Sequence, residues 1–199
     1  MTDVMSRPNA ECPDDCPGLA EPSTAQHEPR TGERLNRLRA AVLGANDGIV
    51  STAAVVVGVA GATSDQTTIA MSGLAAVIGG AVSMALGEYV SVSSQRDSER
   101  SLGLPVDAQV NPWSAGSASF LSFLLGAALP FATALLTPAA WRIGAIFGVT
   151  LLALALTGAL AAKLGEAPVA RSVTRIVVGG SLALAATFAI GSLFGANVG

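Results

Sequence analysis

The chain has 199 residues, of which 51% are hydrophobic and only 13% charged, with a formal net charge of −3 and a single histidine. A soluble domain normally carries about a quarter charged residues, so the composition argues against a water-soluble globule. The net charge itself says little, because orientation in a membrane follows the placement of Lys and Arg.

Residues 1–34 open the chain as a polar tail rich in Pro, Glu and Asp. The tail lacks the apolar core and small-residue cleavage site of a secretory leader. It also has too little apolar surface to order itself, so a disordered cytoplasmic extension is expected, followed by one membrane domain over residues 35–199. Within the tail, Cys12-Pro-Asp-Asp-Cys16 and His27 supply three metal ligands. A zinc site usually takes four at tighter spacings. An idle tail with reduced thiols is therefore the expectation.

Five apolar runs follow. Residues 40–64 contain Asp47 as their sole charge, residues 66–95 only Glu88, and residues 108–141, 143–162 and 176–199 none at all. Nearly charge-free runs of about 18 residues or more read as membrane spans. Spans are predicted at 38–61, 67–94, 113–136, 139–162 and 172–195, giving an all-α bundle of five transmembrane helices. Pro112 and Pro138 stand near helix starts, where a missing backbone donor costs little. Pro130 lies inside the third span and is expected to kink it.

Basic residues set the orientation. Arg30, Arg34, Arg37 and Arg39 precede the first span, Arg96 and Arg100 follow the second, and Lys163, Arg171 and Arg175 lie between the fourth and fifth. The other side holds only Arg142, a nine-to-one split. The positive-inside rule then places the amino terminus in the cytoplasm. Topology accounts for these arginines without a nucleic-acid partner, and the lipid bilayer is the partner the sequence requires.

Asp47 is the most informative residue, because a carboxylate at a helix centre in a bilayer costs at least about 2.5–3.5 kcal/mol. It lies about 12–14 Å from the cytoplasmic edge at 1.5 Å per residue, with Ser51 one turn further along. On the second helix, Met84 and Glu88 are four residues apart and share a face, at about 18 and 12 Å from that edge. Two carboxylates and a thioether at matched depth suit a divalent transition metal better than Mg²⁺ or Ca²⁺. Low-dielectric surroundings also favour carboxylate protonation, which would allow proton uptake as a metal leaves.

Each residue also has an ordinary reading. Met84 alone is a common filler between helices, Glu88 can reach water or Arg96 at the interface, and Asp47 can be a neutral carboxyl bonded across helices. Gly44 and Gly48 bracket Asp47 and, with Gly80 on helix two, allow close helix approach. They serve subunit association, ion passage or both. Asn46, beside Asp47, belongs to the same pathway-or-packing group.

Two segments resemble the vacuolar iron transporter family: Leu43-Gly-Ala-Asn-Asp-Gly-Ile-Val-Ser-Thr-Ala, and Gly80-Ala-Val-Ser-Met-Ala-Leu-Gly-Glu-Tyr-Val-Ser-Val-Ser-Ser-Gln-Arg. Asn111-Pro-Trp and Thr157-Gly-Ala-Leu-Ala also fit, so the resemblance spans residues 35–195. It implies a non-enzymatic transporter with no resident cofactor. It further implies a homodimer through helices one and two that moves Fe²⁺, and often Mn²⁺, out of the cytoplasm in exchange for protons. Asp47 and Met84 match the family's pathway positions, and Glu88 falls in its Gly-Glu-Tyr variant.

Two departures stand out. The connection Asp97–Val110 is too short for the Glu-rich metal-binding domain of many members, so the chain looks like the shorter, nodulin-like branch. Ala40 and Ala76 also stand near positions where some members carry acids. The resemblance implies a cell (inner) membrane if the source is bacterial and a vacuolar-type membrane if eukaryotic. Two alternatives stay open: a non-transporting membrane scaffold, or a transporter of another cation or small solute.

Overall fold

The computed structural model describes residues 29–106 and 109–198. Five helices account for nearly all of them: α1 (Pro29–Ala62), α2 (Gln66–Ser101), α3 (Pro112–Leu136), α4 (Ala139–Leu164) and α5 (Val169–Val198). All five are long and apolar enough to cross a bilayer, and no strand occurs among the described residues. The chain is an all-α membrane protein. The tail with Cys12, Cys16 and His27 lies outside the described residues.

The helices overrun the predicted spans because nothing in the sequence stops them at the edge of the apolar run. Residues 29–34, expected in the tail, form the first turns of α1, with Pro29 at the first helical position, where its missing N–H costs little. α2 continues past 94 to Ser101 and ends where Gly103 adopts a positive φ of 76°, a conformation glycine reaches without strain. Glu99 then staples the short connection: its Oε2 accepts the Val110 backbone N–H at 2.9 Å.

Starts are set by capping side chains. The Asp65 carboxylate accepts from the Thr68 amide at 2.7 Å and the Thr68 hydroxyl at 2.6 Å, satisfying orphan donors of α2. These bonds, the hydroxyl's first, hold the exposed Asp65 carboxyl below its ordinary value. The cap therefore acts fully above about pH 4 and fades as pH falls through that lowered value. Asn111 caps α3 through the amides of Trp113 and Ser114. α3 itself runs helical through the buried Pro130.

α1 is the central helix, in contact with each of the other four, while α2 rests on α1 and α3, and α4 packs against α5, α1 and α3. The close approach of α1 to α3 depends on missing side chains. A Cβ at Gly44 would stand 2.5 Å from the Ser119 carbonyl oxygen, one at Gly48 would collide with the Phe123 backbone, and one at Gly126 with Ala45. The Gly44–Gly48 pair thus joins two helices of one chain. Near the opposite end, Ala53, Val56 and Val57 meet Ile69, Ala134, Ile146 and Leu184 in the main apolar core.

The end of the bundle opposite the arginine-rich one is tied by polar contacts. Arg142 is buried and donates to Gln66 Oε1, and Gln66 Nε2 donates to the Leu135 carbonyl at 3.1 Å.

Gly48→Val is expected to destabilise the fold by more than the about 1–3 kcal/mol typical of overpacking, because the obstacle is backbone. Gly79→Ala, where an added Cβ meets nothing within 4 Å, should leave the melting temperature unchanged. Thermal unfolding in detergent, followed by size-exclusion chromatography, checks both.

Candidate functional site

On α1 the residues Arg39, Leu43, Asp47, Ser51 and Val55 recur every four positions, forming one stripe along the helix. The glycines packed on α3 take a neighbouring face, so this stripe is turned toward α2. Leu43, Asp47, Ser51 and Val55 line one side of a groove of about 390 Å³. Ala76, Gly80, Ser83, Met84, Gly87 and Glu88 of α2 line the other.

Asp47, Ser51, Gly80, Met84 and Glu88, singled out from sequence, therefore share one groove. Asp47 lies on its open side, and its carboxylate has no hydrogen-bond or ion-pair partner among the described residues. The Ser51 hydroxyl donates to the Asp47 carbonyl at 2.6 Å, leaving oxygen lone pairs for the groove. Met84 packs on the buried cluster of Ala81, Phe123 and Ala127. Gly80 is roofed by the Phe123 ring, which a Cβ there would strike.

Glu88 is buried at 6% exposure, and its Oε1 accepts from Arg39 Nη2 at 2.6 Å. Arg96 was one of the alternatives open for Glu88 from sequence, beside water and a metal; the partner is Arg39, which the sequence marks only as topology-setting. The four-residue stripe leading from Asp47 back through Leu43 to Arg39 was the available signal. Arg96 keeps a buried Nε with no hydrogen-bond partner among the described residues. Arg100 donates to Gln109 at 3.2 Å. Arg37, Arg171 and Arg175 are exposed.

The remaining candidates lie outside the groove. Asn46 Oδ1 accepts from the Thr157 hydroxyl at 2.6 Å, which ties α1 to α4 directly behind Asp47. Gly44 and Gly48 pack α1 on α3. Of Ala40 and Ala76, Ala76 lines the groove. Ala40 does not: it is fully buried with Val92, Val110 and Ala115.

Chemically, one chain contributes a free carboxylate, a thioether and a carboxylate engaged by a guanidinium. No three His, Cys, Asp or Glu side chains converge into a metal-holding group among the described residues. The set is asymmetric, with all its donors on the two walls and none closing the open side.

The sequence model of the VIT family matches residues 38–104 and 99–192. The chain is 45% identical to vacuolar iron transporter homolog 1 of Arabidopsis thaliana over 173 residues, covering 83% of this chain and 86% of that protein. It is 40% identical to vacuolar iron transporter homolog 5 of Oryza sativa subsp. japonica over 185 residues, covering 88% and 89% respectively. The family and these relatives are transporters, not enzymes.

Thr157→Val removes the bond to Asn46 and should lower stability by roughly 0.6 kcal/mol, the average for interhelical hydrogen bonds in a membrane protein. Reversible unfolding in mixed micelles measures it. The same variant should shift metal-dependent activity far less than any change at Asp47.

Proposed function

Because the chain belongs to the VIT family, we propose that it carries Fe²⁺ or Mn²⁺ out of the cytoplasm along the α1–α2 groove, in exchange for protons. The observation that carries the proposal is the unpartnered Asp47 carboxylate inside an apolar span, sharing a groove with Met84 and Glu88. An ion there would cost at least about 2.5–3.5 kcal/mol against hydrocarbon, and a divalent cation offsets that cost directly. The relatives named for iron transport favour iron as cargo. A thioether beside carboxylates suits Fe²⁺ and Mn²⁺ over Mg²⁺.

The cargo is a substrate, not a resident cofactor. It would enter from the arginine-rich end, which the positive-inside rule assigns to the cytoplasm. Asp47 and Met84 would hold it, with Glu88 between them and the entrance. Protons arriving from the other side would neutralise the carboxylates as the metal departs, so the empty site returns without a buried charge.

The working unit in this proposal is a homodimer through α1 and α2. Asp47 lies on the open side of the groove, and Leu43 and Val55 of the same α1 stripe are exposed beside it. A second copy against this face would remove Asp47 from lipid and double the donor set to two carboxylates and two thioethers at the same depth. The membrane would be vacuolar-type in a eukaryotic cell and the inner membrane in a bacterium.

In cells loaded with iron or manganese, Asp47→Ala should lose at least tenfold in metal tolerance conferred by the protein, at unchanged membrane abundance. Asp47→Asn should match it, because the amide can neither hold the cation's charge nor exchange a proton. Full tolerance in both variants would contradict the assignment of Asp47.

A further inference from the structure

Arg39 occupies the position through which a cation entering the groove from the arginine-rich end would reach Asp47. It lies eight residues before Asp47 on the same stripe, about 12 Å nearer that end. Its Nη2 holds the buried Glu88 carboxylate at 2.6 Å, closing the groove mouth with a positive charge fixed to a wall residue. We propose that Arg39 is a specificity-determining gate: its guanidinium occupies Glu88 until a divalent cation displaces it, and monovalent cations are held out.

Three observations support this. First, the pair spans the two walls, joining α1 to α2 at the mouth, so breaking it opens the groove without unpacking a helix. Second, the displaced side chain has somewhere to go. A second groove of about 450 Å³ is lined by Arg39 itself together with Leu38, Asn46 and Gly165, and Arg39 already donates to Asn36 Oδ1 at 3.3 Å. Third, the Arg39 side chain is 55% exposed whereas Glu88 is 6% exposed. The mobile partner therefore has water at hand when released, and the buried one requires a replacement cation.

The discrimination follows from charge. Removing the guanidinium leaves a buried carboxylate unpaired, which is costly. A divalent ion replaces the lost charge with twice as much and coordinates the oxygen directly. A monovalent ion offers no more charge than the guanidinium and none of its fixed hydrogen bonds. The gate rests on the groove being the metal route, but its structural core, a closed mouth, is measurable without any metal.

The test is accessibility of a cysteine beyond the gate. In a background with Cys12→Ser and Cys16→Ser, Ser51→Cys is labelled in vesicles by a membrane-impermeant cationic methanethiosulfonate, applied at the arginine-rich face. Rates are taken relative to Ser98→Cys on the exposed end of α2. Labelling should be slow with Arg39 present, at least tenfold faster in Arg39→Gln and in Glu88→Gln, and within about threefold of the parent in Arg39→Lys. Equal rates in parent and Arg39→Gln would overturn the gate, as would a fast Arg39→Lys. Faster labelling in the glutamine variants with unchanged Fe²⁺ transport would keep the closed mouth but overturn the groove as the metal route, and with it the selection of cations by Arg39.

Discussion

The backbone contact between α1 and α3 is the constraint on which the rest depends. Gly44, Gly48 and Gly126 allow the two helices to approach until carbonyls stand where side chains would otherwise be. In a bilayer, helix association gains little from burying apolar surface, because lipid tails are equally apolar. Close contact made possible by small residues takes over that role. Once α3 claims the glycine face of α1, the neighbouring stripe from Leu43 to Val55 lines the groove against α2.

Three polar side chains of the membrane domain find partners in this arrangement. Glu88 is accommodated by Arg39, Arg142 by Gln66, and Asn46 by Thr157. Asp47 has no such partner. A fold that pairs Glu88 with Arg39 and leaves the Asp47 carboxylate on an open groove has placed a charge where its compensation must come from outside the chain. A cation, a proton and a second copy of the chain are the three available sources, and the proposed cycle uses all three.

Much of this was legible in the sequence. The charge-free runs gave five spans, and Asp47, Met84 and Glu88 line one groove. Glu88, however, sits nearer the arginine-rich end than the expected depth of Asp47, since it pairs with Arg39. The helix ends were less legible, because α1 and α2 continue past the apolar runs into polar segments with adequate helix propensity. Helical faces were also hidden. Gly44 and Gly48 read as a contact of unknown partner, and only the fold shows that the partner is α3. Arg39 was read through charge counting alone, which is blind to the side chain's reach; the four-residue spacing to Asp47 carried the missing information. The roles of Ala40 and Ala76 separate in the same way, one packed in the core and one on the groove wall.

The most direct measurement is metal flux by the purified full-length protein in proteoliposomes with an imposed pH gradient, comparing Fe²⁺, Mn²⁺ and Zn²⁺. The account predicts movement of Fe²⁺ or Mn²⁺ against an opposing proton flow, collapsing when the gradient is dissipated. Metal movement indifferent to the gradient, or no movement of either Fe²⁺ or Mn²⁺, would contradict it.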